Sequence, residues 1–281
     1  MTLHSKLSKL DGLERNPASP LIGRIGTLET RLARNHDEVM EAQALRHDVF
    51  YNELGAIADE DTNQLGRDED PFDRFCDHIL VIDQQFKKPK IVGTYRLLQK
   101  SVADQIGGFY SHSEFDLSPL LTLNPTANFL ELGRSCILSQ YRDKRTLELL
   151  WHGAWSYALS NKIDIMFGCA SFEGTDPITH NKTLGWLGRN VLLSPDEDCL
   201  AMNGDFVDLS KIEEQDHNLR QAMSGMPPLL KGYLRLGAKT GSHAVIDHQF
   251  QTTDVLVVLK VDEINPRYIA HYGADASRFA V

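Results

Sequence analysis

The stretch Phe129-Leu130-Glu131-Leu132-Gly133-Arg134-Ser135-Cys136-Ile137 decides how the rest of the chain is read. It alternates as a strand, with Leu130, Leu132 and then Ser135 on one face and Phe129, Glu131 and Gly133 on the other. A carboxylate in a strand that otherwise seeks a core is costly unless it is paired or used. Arg134, three residues on, is a candidate partner. Downstream, Tyr141-Arg142-Asp143-Lys144-Arg145-Thr146 leads into a helical pattern whose stripe is Leu147, Leu150, Trp151, Ala154, Ala158 and Leu159. Strand, basic turn and helix form a phosphate-binding geometry, with Thr146 as the predicted N-cap. Ile163 to Phe172 is the next strand, and its small residues Gly168-Cys169-Ala170-Ser171 suit close approach of a ligand or another backbone. A strand–helix–strand unit preceded by antiparallel strands predicts an α+β fold with a mixed central sheet flanked by helices.

Working back from this stretch, Ile25 to Arg34 alternates as a strand. Asn35-His36-Asp37 then caps a helix through Val39 to Leu54, with Met40, Ala44, Val49 and Phe50 at helical spacing. Arg46 in this helix is either a solvated face residue or, one turn from Phe50, a residue that reaches a pocket. Ala58 to Arg74 is densely acidic and reads as a loop. Within it Asp70 and Asp73 flank Phe72, a core anchor, which makes them candidates for binding an ammonium group. His78 to Asp83 and Ile91 to Leu98 form a hairpin around Lys87-Lys88-Pro89, with Arg96 late in its second arm. Ser113 to Asp116 leads into a short helical turn ending near Pro119. Beyond Pro177 the pattern weakens, leaving a short helix over Pro227 to Ala238 with Lys231, Arg235 and Lys239 on it. Ala244 to Ile246 and Asp254 to Val261 read as strands. The expected organisation is a tail or peripheral helix over 1–22, a core over 23–175 and a C-terminal extension over 176–281. In the tail, Leu3, Leu7, Leu10 and Leu13 share a helical face that packs on the domain or lies on a membrane surface.

The chain has 281 residues, 42% hydrophobic and 24% charged, and a formal charge of −10. That balance disfavours nucleic acid, and any acidic partner has to find a local basic patch. Cys76, Cys136, Cys169 and Cys199 are widely spaced without a CxxC pair, so neither a disulfide framework nor a zinc site is expected. The histidines have no metal spacing, and no metal is expected. No P-loop, dinucleotide fingerprint or G-x-S-x-G elbow is present. No apolar run reaches membrane-spanning length and no secretory h-region opens the chain, so the expected location is the cytoplasm.

Two residue sets carry candidate chemistry. Shielding Glu131 from water raises a carboxylate's proton affinity and suits it to a general-base role; the alternative is a structural ion pair with Arg134 or Arg96. Arg142, Lys144 and Arg145 ahead of Thr146 either hold a phosphate or form a plain surface turn.

A run of motifs then narrows the choice: Arg46-x-x-Val49-Phe50, Asp70-x-x-Asp73, Gly93-Thr94-Tyr95-Arg96, Gly108-Phe109-Tyr110-Ser111 with Glu114-Phe115, and Glu131-Leu132-Gly133-Arg134-Ser135. Tyr141-Arg142, Leu150-Trp151-His152-Gly153, Gly168-Cys169-Ala170-Ser171-Phe172-x-Gly174, Pro228-Leu229-Leu230-Lys231-Gly232-Tyr233 and Asp247-His248-Gln249-Phe250 continue it. Together they resemble the ornithine N-acyltransferases of ornithine-lipid synthesis, among the GNAT-related acyltransferases that include the acyl-homoserine-lactone synthases. The resemblance covers most of residues 25–273. It implies a GNAT-like fold, and transfer of a 3-hydroxyacyl group from acyl carrier protein to the α-amine of L-ornithine, giving lyso-ornithine lipid. No bound cofactor is implied; the acyl carrier protein thioester is a co-substrate. Likeness to the lactone synthases implies that Arg46, Phe50, Asp70, Asp73, Arg96, Glu131 and Arg134 occupy the active-site region. Arg142, Lys144, Arg145 and Thr146 would then meet the pantetheine arm.

Two departures bear on this. Gly133 stands where the lactone synthases carry a second serine or threonine. Asp143 and Arg145 replace the glycine-rich CoA loop of ordinary GNAT enzymes, which favours a carrier-protein donor. Two other readings stay open: a lactone synthase that needs S-adenosylmethionine, and a non-catalytic acyl-carrier or lipid-binding module, against which the acid at 131 argues.

Overall fold

The two strands of the predicted hairpin are heavily buried. The computed structural model describes Gly12, residues 15–202, 204–213 and 219–264, and Phe279. The leucine face expected on Leu3 to Leu13 lies outside the described residues. The chain divides into two compact units that alternate along the sequence. One takes Met1–Gly108, Leu130–Ile163 and Pro266–Val281; the other takes Phe109–Phe129 and Asp164–Asn265.

Nine strands are defined among the described residues: β1 (Gly23–Ile25), β2 (Leu28–Leu32), β3 (Asp77–Asp83), β4 (Lys90–Gln99), β5 (Phe129–Ile137), β6 (Ile165–Glu173), β7 (Phe206–Asp208), β8 (Lys239–Asp247) and β9 (Thr252–Lys260). Eight helices accompany them: α1 (His36–His47), α2 (Glu60–Leu65), α3 (Lys100–Ile106), α4 (Ser118–Leu123), α5 (Lys144–Ser160), α6 (Asn181–Asn190), α7 (Leu219–Ser224) and α8 (Pro228–Leu236). The class is α+β, and the expected succession β5–α5–β6 is present.

In the first unit the strands run β1-β2-β3-β4-β5, each antiparallel to the next. β3 and β4 are buried along nearly their whole length because both of their faces are covered. Val39, Ala42, Leu45 and Val49 of α1 and the turn after it close over Leu80, Ile82 and Ile91. On the alternate face, α5 comes so near that a Cβ on Gly153 would sit 3.0 Å from both Ile79 and Thr30. Asn35 caps α1 through Glu38 N at 2.9 Å, as predicted. After His47, however, the chain widens into a π-helical turn over Asp48–Glu53. The single strand expected over Ile25 to Arg34 is a hairpin, turned at Gly26 with φ +61°.

The acidic stretch Ala58 to Arg74 is not a plain loop. Asp59 caps α2 through Thr62 N, Gly66 closes it in the left-handed region, and Asp73–Phe75 makes a 3-10 turn. Capping explains the error: acids at the start of a short helix favour its N-terminus, and the stretch has too few apolar residues to register as periodic.

In the second unit β6, β9, β8 and β7 form successive antiparallel pairs. Pro119 lies in the first turn of α4 rather than at a helix end, where a residue without an N–H is well tolerated. α6 has no counterpart among the elements expected from the sequence. Its Gly188 permits the Leu209 carbonyl to approach so closely that a Cβ would overlap it, and Thr183 Oγ1 donates to the Ala222 carbonyl of α7 at 2.9 Å.

Candidate active site

A single extra residue in β5 organises the polar side of the first unit. Arg96 of β4 pairs with Gly133, whereas Thr94 pairs with Cys136, so two residues of β5, Arg134 and Ser135, stand opposite Tyr95 alone. Arg134 takes up the bulge with φ +53°, a conformation uncommon outside glycine. The kink aims its guanidinium at the acidic stretch: Nε is 3.1 Å from Asp68 Oδ2 and one terminal nitrogen 3.3 Å from Asp70 Oδ2.

Arg46 and Arg96 enter the same network. Arg46 is wholly buried; its Nε lies 2.7 Å from Asp68 Oδ2, and its terminal nitrogens donate to both oxygens of Asp73 at 2.9 and 2.7 Å. Arg96 reaches Asp70 Oδ2 at 2.6 Å and Asp73 Oδ1 at 3.1 Å. Three arginines thus meet three aspartates, and the formal charges cancel, which is what burial demands. Further donors fix Asp73: Gln43 Nε2 at 2.9 Å and the Asp70 N–H at 3.2 Å. Burial works against the Asp73 charge, but Arg46 and then Arg96 outweigh it and hold this carboxyl well below the usual range. Asp68 is lowered likewise, with Arg134 and Arg46 overcoming its burial. Tyr51, in the π-helical turn, brings its hydroxyl to 3.3 Å from Asp68 Oδ1, and burial followed by that carboxylate pushes its phenol up.

Glu131 is buried and pairs with Leu98 across β4 and β5, two positions along from Arg96 and Gly133. By strand alternation Glu131, Gly133, Arg96 and Leu98 share one face of the sheet. A Cβ on Gly133 would lie 4.0 Å from the Arg96 guanidinium, an ordinary contact distance, so this position borders that group. The Cys76 thiol, pushed up chiefly by burial, also feels Arg96, Asp73, Asp70 and Glu131, which places all five in one electrostatic environment. Phe50 is half-buried and packs on the apolar cluster of α1 and β3. The network therefore joins Arg46, Asp70, Asp73, Arg96 and Arg134, and adds Asp68 and Tyr51, which the sequence reading passed over.

The basic turn differs from expectation in one respect. Asp143, not Thr146, is the N-cap of α5; its carboxylate accepts from Thr146 N at 3.0 Å and from Thr146 Oγ1 at 3.1 Å. Asp and Thr are both good caps, and Asp143 takes the role because the helix begins at Lys144, which puts Thr146 at its third position. The turn's cations have partners of their own. Arg142 forms a fork with Glu53 and donates to the Ile137 carbonyl at 3.0 Å, Arg145 bonds Asp143 at 2.9 Å, and Lys144 lies 3.7 Å from Glu148.

In the second unit, the small residues of β6 pair with β9, Cys169 opposite Leu256 and Ser171 opposite Asp254. Cys169 Sγ donates to Glu114 Oε2 at 3.4 Å and lies 3.7 Å from Ser111 Oγ. Glu114, Asp247 and Asp254 each bring a carboxylate oxygen within 4.8 Å of the others, a grouping that could hold a cation and that no sequence spacing announced. Among the described residues no helix is long and apolar enough to cross a membrane.

Comparison with known proteins agrees with this architecture. A family model described as an acetyltransferase (GNAT) domain matches residues 45–152, the span from Leu45 beside the buried arginine to His152 in α5. The L-ornithine N(alpha)-acyltransferase of Agrobacterium fabrum is 48% identical over 92% of this chain and 89% of its own length. That of Rhizobium meliloti is 47% identical over 94% of this chain and 90% of its own. Among solved structures, a CoA-dependent acyl-homoserine lactone synthase aligns over 85% of this chain and 83% of its own at 13% identity, with a TM-score of 0.45. The chain is an enzyme with a GNAT-like acyltransferase fold, and it belongs to the L-ornithine N(alpha)-acyltransferase family.

Proposed function

We propose that this acyltransferase moves a 3-hydroxyacyl group from the phosphopantetheine thioester of acyl carrier protein to the α-amine of L-ornithine, giving lyso-ornithine lipid. The observation that carries the reading is the charge-balanced network beside Glu131. Its partly exposed members, Asp70 and Arg134, offer one anion and one cation to an amino acid that carries both charges. Their mutual contact of 3.3 Å is the longest of the network's ion pairs and the least costly to exchange. In this reading Arg134, with Arg96 behind it, meets the ornithine carboxylate, and Asp70 meets an ammonium group. Arg46 and Asp73, fully engaged with each other, hold the ends of the site rather than the substrate. Phe50 supports the turn that carries Tyr51.

Glu131 takes the proton of the attacking amine, directly or through water. The nitrogen bonds to the thioester carbon and the C–S bond breaks; of the two protons the ammonium nitrogen gives up, one passes through Glu131 to the departing pantetheine thiolate and the other is released to water. Arg142, Lys144, Arg145 and Thr146 meet the phosphate of the arm. The partners of Arg142 and Arg145, Glu53 and Asp143, are exposed carboxylates, and pairs of that kind exchange readily because each is worth little in water. The protein works at the cytoplasmic face of a membrane that receives its lipid product. Expression in a host that lacks aminolipids, followed by mass spectrometry of its lipids, tests the whole reading. A new 3-hydroxyacyl-ornithine species is the expected result. An acyl-homoserine lactone instead would replace this reading with its closest competitor, and no acylated amine at all would remove both.

A further inference from the structure

The second unit carries a set of cations that differs in kind from those of the α5 turn. From Leu219 to Ile246 the sequence has no aspartate or glutamate, although the chain holds 39 of them in 281 residues. Within that span lie Lys231 and Arg235 of α8, and Lys239 at the start of β8. Lys231 and Arg235 are four residues apart and so share one helix face, while Leu230, Tyr233 and Leu236 are buried on the other. Gly237, left-handed at φ +106°, ends the helix and turns the chain into exposed Lys239. Among the described residues none of these three cations has a carboxylate at ion-pair distance, whereas Arg142, Lys144 and Arg145 each have one. Like charges at this spacing repel one another, and a chain with net charge −10 has ample acid with which to neutralise them.

We propose that this face, Lys231, Arg235 and Lys239, is where an acidic carrier protein docks. The proposal rests on the reading of the donor as acyl carrier protein. Charge complementarity identifies the partner: an acidic protein surface matches a local cationic row on an otherwise acidic molecule, and such a row steers encounter. A lipid surface fits less well, since an interfacial helix sets large apolar residues beside its cations. None of the large exposed apolar residues described in the chain lies on α8.

The test compares the full-length enzyme with a K231E/R235E/K239E variant, and with a milder K231Q/R235Q/K239Q variant in case the first folds poorly. Steady-state turnover is measured with acyl carrier protein thioester at several salt concentrations. Each charge set should raise KM for the thioester, the reversal by about tenfold or more, and flatten its salt dependence. The kcat and the KM for ornithine should stay as in the wild type. An unchanged KM beside normal wild-type turnover overturns the docking face and leaves the proposed reaction standing. A wild type without turnover on this donor removes the donor reading, and the docking face with it. Loss of binding to anionic vesicles with an unchanged KM assigns the face to a membrane and likewise overturns the proposal.

Discussion

Acid should destabilise this protein well above the pH at which carboxylates protonate, and one buried histidine is the reason. His78 of β3 is 1% exposed, and its Nε2 lies 3.0 Å from the Asp73 carbonyl, an acceptor that requires the proton on Nε2. Nδ1 is then an acceptor with no partner among the described residues. Protonating it would bury a second positive charge. Burial dominates the effect; Asp73 opposes it, Arg46 and Arg15 reinforce it, and the ring is pushed down to about 4 from 6.5. The unfolded chain therefore binds a proton on this ring at a pH where the folded chain does not. Stability contributed by the neutral ring is complete above about pH 6.5 and is lost as pH falls toward 4. The 2.5-unit gap between those two values corresponds to about 3 kcal/mol in full, of which about 2 kcal/mol is gone by pH 5. Asp68 and Asp73, held below the ordinary carboxylate range, lose their own contribution only at pH values below the interval from 6.5 to 5. Urea denaturation at half-unit steps across that interval measures the slope. His78→Gln, whose amide can still donate to the Asp73 carbonyl and cannot titrate, should remove about 2 kcal/mol of the pH 7 to pH 5 difference. Parallel curves for the variant and the wild type would refute the assignment.

Four further outcomes are expected. Glu131→Gln should lower kcat by about 100-fold with the ornithine KM little changed if the carboxylate is the base; near-normal kcat in steady-state assay excludes that role. Arg142→Ala with Lys144→Ala should raise KM for the acyl carrier protein thioester without changing that for a pantetheine thioester lacking the phosphate; equal effects on both donors would count against a phosphate contact. Asp143→Ala removes the N-cap of α5 and should cost about 1 kcal/mol in chemical denaturation, with a shift under about 0.3 kcal/mol contradicting the cap. Cys76, Cys136 and Cys199 are buried, and burial pushes each thiol up, to about 12 for Cys199, so a thiol reagent on the folded enzyme should label half-buried Cys169 first, as peptide mapping would reveal.

What could be read from the residues and what could not divides along a physical line. The β3–β4 hairpin, β5, α5 and α8 were legible because each carries its own period of apolar residues, and periodicity is a local property. The burial of Arg46 was not, since a helical arginine becomes a core residue only when distant acids come to it, and Asp68 and Asp73 sit in a stretch whose composition resembles a solvated loop. The bulge at Arg134 was equally hidden: one added residue leaves the apolar alternation of β5 intact on either side. α6 looked broken because Gly185 and Gly188 lower helix propensity, yet the nearness of Leu209 to Gly188 is what requires glycine there. The motif run thus held Arg46, Asp70, Asp73, Arg96 and Arg134 of the charge network but neither Asp68 nor Tyr51, and the arrangement of all seven depended on pairings between segments.

That arrangement divides the charge network into a fixed part and an exchangeable part. Asp73 accepts from Arg46, Arg96, Gln43 and the Asp70 N–H, while its carbonyl receives His78 and Arg15. Removing any one of these buried partners strands another, so this end resists rearrangement. Asp70 and Arg134 are partly exposed, and their shared contact is long. An incoming ornithine whose α-amine has given up its proton can take over that contact and keep the total charge at zero, since its carboxylate and its side-chain ammonium then bring one charge of each sign. A simple amine or a simple acid cannot do so without leaving Arg134 or Asp70 unbalanced. On the proposed reading, selectivity for an amino acid over a monoamine therefore comes from charge conservation at the exchangeable pair, with the fixed end setting where the pair stands relative to Glu131.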